Sequence, residues 1–198
     1  MPNPPTLPDL LRDGLDIVFV GINPSVYSAT QGHYFARKIN RFWPAFSRSR
    51  LSVAARAGLG IERFEPMHDR LLQDFGFGFT DLVKRASPRS TDLTREEPKD
   101  GVAALARKLN RYKPRFACFH GVTVGRPVQK VIAPEAGETA LGLQPYTIGE
   151  TRIFVVPNPS PANAHFTPAD QTYWYDALAD ALAQVRRGDR IVKPGAKL

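Results

Sequence analysis

The chain has 198 residues, 42% of them hydrophobic, and its 27 Lys and Arg against 19 Asp and Glu give a formal net charge of +8. This length and apolar content suit one globular domain with a substantial core, while a single cysteine excludes an internal disulfide and a zinc cluster of cysteines. The excess positive charge, with a pI near 9.9, favours a polyanionic partner, because clustered Lys and Arg displace counterions from phosphates.

Four prolines in the first eight residues predict an extended lead-in over residues 1–12. That segment has no basic start followed by a continuous apolar stretch, so it does not read as a secretory leader. No later run reaches the length of a membrane span. Residues 16–20, DIVFV, are mostly apolar and β-branched or aromatic, as a strand covered on both faces should be. They lead into the polar loop GINPS. Further on, Thr94 and Glu97 have the spacing of a capping box, with Asp100 as an alternative cap. The helix they would open shows Val102, Leu105, Leu109 and Tyr112 on one face. Residues 116–119 form a second apolar strand, which makes Cys118 a core thiol and fits a reducing compartment. LGLQP, residues 141–145, reads as a turn. Residues 152–156 are a third strand, followed by the loop NPSPANAHF over 158–166. Thr167 before Pro168 then starts a long helix, with Tyr173, Ala177, Leu178, Ala181, Leu182 and Val185 as its apolar stripe. Residues 186–198 read as a solvated basic tail.

Strands alternating with helical segments predict a three-layer α/β/α sandwich with a mainly parallel central sheet, the three strands at its centre. Ligands of such folds bind beyond the carboxyl ends of the strands, where GINPS and NPSP both lie. The whole reads as one domain over residues 1–198, without internal repeats, acting in the cytosol and away from membranes. The four histidines, His33, His68, His120 and His165, have no metal-binding spacing.

An Asn-Pro dipeptide after a strand is a common turn, so either polar loop alone carries little. Their pairing, in order, with GHYF (residues 32–35), NRFW (40–43), GFGFTDLVKR (76–85), YKPRFACF (112–119) and LGLQP is specific. Together these motifs resemble the mismatch-specific uracil and thymine DNA glycosylase family, over about residues 15–182. The resemblance implies a monofunctional enzyme that needs no cofactor and works as a monomer. It would flip a uracil or related mispaired or damaged pyrimidine out of DNA and hydrolyse its bond to deoxyribose. The expected partner is uracil-containing or mismatched DNA, with single-stranded DNA as an open alternative.

By that resemblance Asn23 orients the attacking water; the alternative for such an Asn is to cap its own turn. Phe35 stands where the family stacks an aromatic ring on the flipped base, against an alternative as a core residue. Backbone amides of Gly21, Ile22 and their neighbours would stabilise the departing pyrimidine anion. Ser28 corresponds to a small residue near the pyrimidine 5-position, and His33 joins the base-binding set. Asn40, Phe42 and Trp43 read as structural. Asn158, Ser160, Pro161, Ala162 and Asn163 match the loop that enters the minor groove beside the orphaned base. The bulky wedge residues of the family are replaced here by Pro161, Ala162, Asn163 and Ala164, which argues against strong mismatch recognition. Arg37, Lys38 and Arg41 are candidates for phosphate contacts. Asp92, in the loop SPRSTDLT, is a candidate second catalytic group that would steer the water or stabilise the cationic sugar; its alternative is a cap. Asp81 reads as structural. Two rivals are a catalytically silent DNA-binding module on the same fold and a nucleoside hydrolase, for which the acidic metal- or ribose-binding pairs are missing.

Overall fold

The computed structural model describes residues 6–189. Five strands form one sheet: β1 (Ile17–Gly21), β2 (Phe77–Asp81), β3 (Phe116–His120), β4 (Gly142–Ile148) and β5 (Thr151–Val156). Their spatial order is β2-β1-β3-β5-β4, parallel throughout except for β4, which runs antiparallel to β5 at the edge. The three strands expected from apolar runs are the three central ones, and β1 and β3 are buried at every residue.

Two strands were hidden. β2 reads FGFTD after a glycine; Phe77, Phe79 and Thr80 favour a strand, but Gly78 and Asp81 break the apolar run. LGLQP is no turn: β4 begins inside it, with Pro145 at an exposed position and a register shift between Leu143 and Thr147. An edge strand tolerates this proline, because a missing N–H there breaks no ladder on the open side.

Six α-helices flank the sheet among the described residues: α1 (Val26–Gln31), α2 (Phe42–Arg48), α3 (Val53–Leu59), α4 (Glu96–Tyr112), α5 (Val122–Ile132) and α6 (Pro168–Arg187). Alternate residues of one strand face opposite layers. Ile17 and Phe19 of β1 join Phe42, Phe46, Phe79, Tyr175 and Leu178 under α2 and α6. Val18 and Val20 join Val102, Leu105, Leu109, Val124 and Val128 under α4 and α5. The result is the expected three-layer sandwich.

The capping box before α4 is present: Thr94 N donates to Glu97 at 2.8 Å and Glu97 N to Thr94 Oγ1 at 3.3 Å, while Asp100 lies inside the helix. In α6, Thr167 caps as expected, but the buried stripe uses Tyr175 and not Tyr173. Tyr175 is three residues from Leu178 and shares its face, whereas Tyr173, five away, points elsewhere. The helix also runs on through Arg187, so the expected tail starts within it. Arg186 pairs with Asp16 at 2.6 Å. The lead-in is extended, yet it belongs to the fold: Leu7 is buried, and Leu10 exchanges two 2.9 Å backbone hydrogen bonds with Phe79 along the edge of β2. Residues 1–5 of the expected lead-in and 190–198 of the expected tail lie outside the described residues.

The chain leaves β1 towards the α2 and α6 layer, and leaves β3 towards α5 on the other layer. This reversal opens a crevice at the carboxyl ends of the two adjacent strands.

Candidate functional site

The GINPS loop leaves β1 zipped against the segment that leaves β2. Leu82 N donates to Gly21 O and Val83 N to Ile22 O, both at 2.9 Å, and Ser87 N donates to Pro24 O at 3.2 Å. Asn23, half-buried, uses both amide hydrogens: Nδ2 donates to Arg85 O at 3.0 Å and to Ser87 Oγ at 2.8 Å. The Ser87 hydroxyl donates onward to Arg89 O at 2.6 Å, so towards Asn23 it acts as an acceptor. A backbone carbonyl and a committed hydroxyl oxygen both demand a donor, which fixes the amide orientation. Oδ1 remains the acceptor that the loop presents.

Asp81 closes the carboxyl end of β2 directly below this loop. A Cβ on Gly21 would fall 2.5 Å from Asp81 Oδ1, so any side chain there would displace the Asp81 carboxyl group. Asp81 is buried, its Oδ2 has no hydrogen-bond partner, and burial pushes its pKa up to about 7 against the opposing pull of Lys84 at 4.0 Å. Lys84 itself, with Lys108, binds Asp9 at 2.7 Å. Burial opposes ionisation of Asp9, but the two ammonium groups outweigh it and hold the carboxyl low.

The GHYF loop is bracketed by two buried polar side chains. Ser28 Oγ accepts from Ala36 N at 3.2 Å, and Ser28 O accepts from Gly32 and His33. Asp69 binds Tyr34 N at 3.0 Å and His33 Nδ1 at 3.1 Å. Between these brackets Phe35 takes a positive φ of 53°, a strained value for a bulky residue. Its half-buried ring stacks on Phe42 at 4.2 Å and 14°, and meets His120 edge-on at 5.0 Å. His120 ends β3; its Nε2 lies 2.9 Å from the Tyr175 hydroxyl, and burial lowers its pKa to about 3, so it is a neutral support.

The third loop leaves β5. Gly121, at φ +99°, donates to Val156 O at 2.8 Å and lies so close that a Cβ would meet Asn158 Cβ at 3.1 Å. Asn158 Oδ1 accepts from Ser160 N, and Asn163 Nδ2 donates back to Asn158 O. Arg41 latches the loop from outside: its backbone N donates to Pro159 O at 3.0 Å, and its guanidinium to the carbonyls of Asn163 and Phe166 at 3.0 and 2.5 Å. Arg41 is therefore a brace between two loops, and not the free phosphate contact that the sequence suggested. Pro161 and Ala162 form the exposed tip.

The structure thus places Gly21, Ile22, Asn23, Ser28 and Phe35 at the carboxyl end of β1 and on the segment that follows it, and Asn158 and Ser160 on the loop that follows β5, with His120 at the end of β3 between the two strands. His33, held by Asp69, lines a hollow of about 530 Å³ with Tyr27, Ala36, Arg37, Lys38 and Trp43. Asp92 adjoins the Asn23 network, since Arg89 O takes the Ser87 hydroxyl and the Arg85 guanidinium donates to Asp92 O at 3.1 Å. Its carboxylate accepts from Arg89 N at 3.0 Å and from the Arg89 guanidinium at 3.3 Å, which is the capping alternative. Four residues that shape the site carried no assigned role in the sequence: Ser87, Arg85, Asp69 and His120. For Ser87 and Arg85 the only signal was their place in or beside GFGFTDLVKR. Among the described residues no group of three or more His, Cys, Asp or Glu could hold a metal ion, and no helix is long and apolar enough to cross a membrane.

A family profile described as the uracil DNA glycosylase superfamily matches residues 8–182. A G/U mismatch-specific uracil DNA glycosylase of Schizosaccharomyces pombe is 29% identical over 190 residues, covering 94% of this chain and 56% of that protein. The chain thus spans about half the length of this relative. Among solved structures, the solution NMR structure of a uracil DNA glycosylase candidate from Methanosarcina acetivorans has a TM-score of 0.51 at 21% identity. It covers 88% of this chain and 97% of its own, a likeness of fold.

Proposed function

The chain belongs to the uracil DNA glycosylase superfamily, and on that premise we propose that it removes uracil and related mispaired or damaged pyrimidines from DNA as a monomeric base-excision glycosylase of the cytosol. The observation that carries this reading is the fixed amide of Asn23 and the supported ring of Phe35, on two segments joined through Ser28, whose Oγ meets Ser25 Oγ at 3.1 Å and Ala36 N at 3.2 Å. Departure of a pyrimidine leaves an oxocarbenium-like sugar, which needs an oriented water more than a strong base. Asn23 Oδ1 accepts a hydrogen bond from that water and aims its oxygen at C1′. The C1′–N1 bond breaks with its electron pair leaving on N1, the water oxygen bonds to C1′, and its proton passes to solvent. Backbone amides of Gly21, Ile22 and their neighbours stabilise the departing anion. Phe35, supported by Phe42 and His120, offers a face for any pyrimidine. Asn158 and Asn163 shape the third loop, whose tip at Pro161 and Ala162 enters the space left by the base. No step needs Asp92.

The test is incubation of the purified protein in EDTA with labelled oligonucleotides carrying uracil opposite guanine, opposite adenine or unpaired, followed by alkali. Wild type should generate abasic sites. Asn23→Ala should lose on the order of a hundredfold or more in single-turnover rate while still binding abasic DNA. No cleavage of any oligonucleotide by wild type would leave only a DNA-binding module, and wild-type rates from Asn23→Ala would remove Asn23 from the mechanism.

A further inference from the structure

Outside the three loops, one surface concentrates charge without neutralising it. Between α4 and α5 runs an open groove of about 570 Å³, walled by Arg95, Lys99, Arg126 and Lys130 and floored by Pro98, Pro127 and Val131. Of the twenty other Lys and Arg among the described residues, eleven pair with carboxylates, Arg12, Arg50, Lys84, Arg85, Lys108, Arg111 and Arg115 among them. None of the groove's four cations forms an ion pair among the described residues, and no acidic side chain lines the groove. Glu96 and Asp100, their neighbours on α4, are exposed but not part of its wall. Glu138 stands beyond Arg126 and Lys130 at the far end and pairs with neither. By contrast, Arg63 shares its hollows with Glu62 and Glu65.

The position of the groove gives these cations a use. α4 and α5 follow β2 and β3, so both helices start at the carboxyl edge of the sheet, where the catalytic loops sit. Arg95 and Lys99 belong to the start of α4, and Thr123 and Arg126 to the first turns of α5. Thr123 is two residues from Gly121, which touches Asn158. The groove therefore opens beside the third loop. Lys130 then lies one turn, about 6 Å, beyond Arg126.

We propose that this groove carries the sugar–phosphate backbone of the substrate DNA on one flank of the flipped nucleotide. The proposal rests on the glycosylase reading above. Four cations strung along an open channel suit a line of phosphates better than one compact anion, which would need them to converge. They gain free energy by releasing condensed counterions, a contribution independent of base sequence. The groove thus extends the footprint beyond the loops, and adds grip where the short tip at Pro161 and Ala162 adds little.

The test compares wild type with Arg126→Ala/Lys130→Ala on a 30-base-pair duplex and on a seven-nucleotide strand, each carrying a central uracil. Arg48→Ala/Arg56→Ala, which removes the same charge from the opposite layer, is the control. Each lost phosphate contact should flatten the slope of log affinity against log salt by about 0.9 on duplex DNA. The groove variant should therefore lose about 1.8 in slope. It should also raise KM on the duplex at unchanged single-turnover rate and unchanged melting temperature, with little effect on the short strand. The control variant should retain most of the wild-type slope. An active groove variant with wild-type slope and KM, or a control that falls as far, would overturn the proposal. Absence of uracil release by wild type would instead overturn the glycosylase reading, and the binding slopes would still judge the groove.

Discussion

An amide can orient water only if something else orients the amide. Rotation of the Asn23 side chain by half a turn would exchange Oδ1 for an N–H donor, and the attacking water would then be held the wrong way round. Ser87 prevents this, because its own hydrogen is committed to Arg89 O and its oxygen can only accept. On the proposed mechanism Ser87 is accordingly a positioning residue. Ser87→Ala should lower the single-turnover rate roughly ten- to a hundredfold, as small misplacements of reacting groups do, at unchanged affinity for abasic DNA. Ser87→Thr, which keeps the hydroxyl, should recover most of the loss. An alanine variant as fast as wild type would show that Arg85 O alone holds the amide. Asn23 was legible as a motif residue, but its partner lies 64 positions away and leaves no periodicity or local spacing to read. Asp92 shows the converse: a carboxylate in a plausible loop, whose local capping bond to Arg89 occupies it.

At the scale of elements, apolar runs revealed β1, β3 and β5 because strands covered on both faces must be apolar throughout. β2 and β4 lie at the two edges of the sheet, where glycine and proline are tolerated, and so they resembled loops. The third loop was legible by motif, yet the hydrogen bonds that brace it come from Arg41, 122 residues from Asn163. Arg41 also begins the helix that carries Phe42 beneath Phe35, so one residue ties the stacking ring to the loop tip. Arg41→Ala should loosen the tip without touching Asn23. On the proposed function, extrusion from a stable duplex depends on that tip, whereas an unpaired nucleotide needs little help. The variant should therefore cleave uracil in guanine-paired duplex about tenfold more slowly, and unpaired uracil near the wild-type rate. Because Pro161 and Ala162 fill little space, wild type should itself depend only weakly on the opposing guanine. Equal losses on both substrates would assign Arg41 to the chemistry, and exclusive activity on guanine mismatches would refute the weak-wedge reading.

The whole molecule adds a second consequence of packing polar groups under these loops, because two buried side chains titrate in opposite senses. Asp81 has a folded pKa of about 7, raised by burial from an ordinary 3.8. Between those values the folded chain keeps a proton that the unfolded chain has lost, so this residue makes stability fall as pH rises. His120 has a folded pKa of about 3, lowered by burial from 6.5. In its window the unfolded chain takes up a proton that the folded chain refuses, so stability falls as pH drops. From about pH 4.5 to 6.5 the two slopes, each up to about 1.4 kcal/mol per pH unit, nearly cancel. Between them these two residues should accordingly leave almost no net pH dependence in the wild-type melting temperature across that range. Asp81→Asn removes one slope and should melt progressively lower on acidification, by about 2 to 4 °C for each kcal/mol lost. His120→Gln removes the other and should melt progressively higher. Contributions from Asp9 and from Glu97, held at about 2 by its bond to Arg85, are common to all three proteins and drop out of the comparison. Melting curves at half-unit steps of pH would decide it: an Asp81→Asn profile parallel to wild type would mean that Asp81 is already ionised in the folded chain, with Lys84 and Lys108 outweighing its burial.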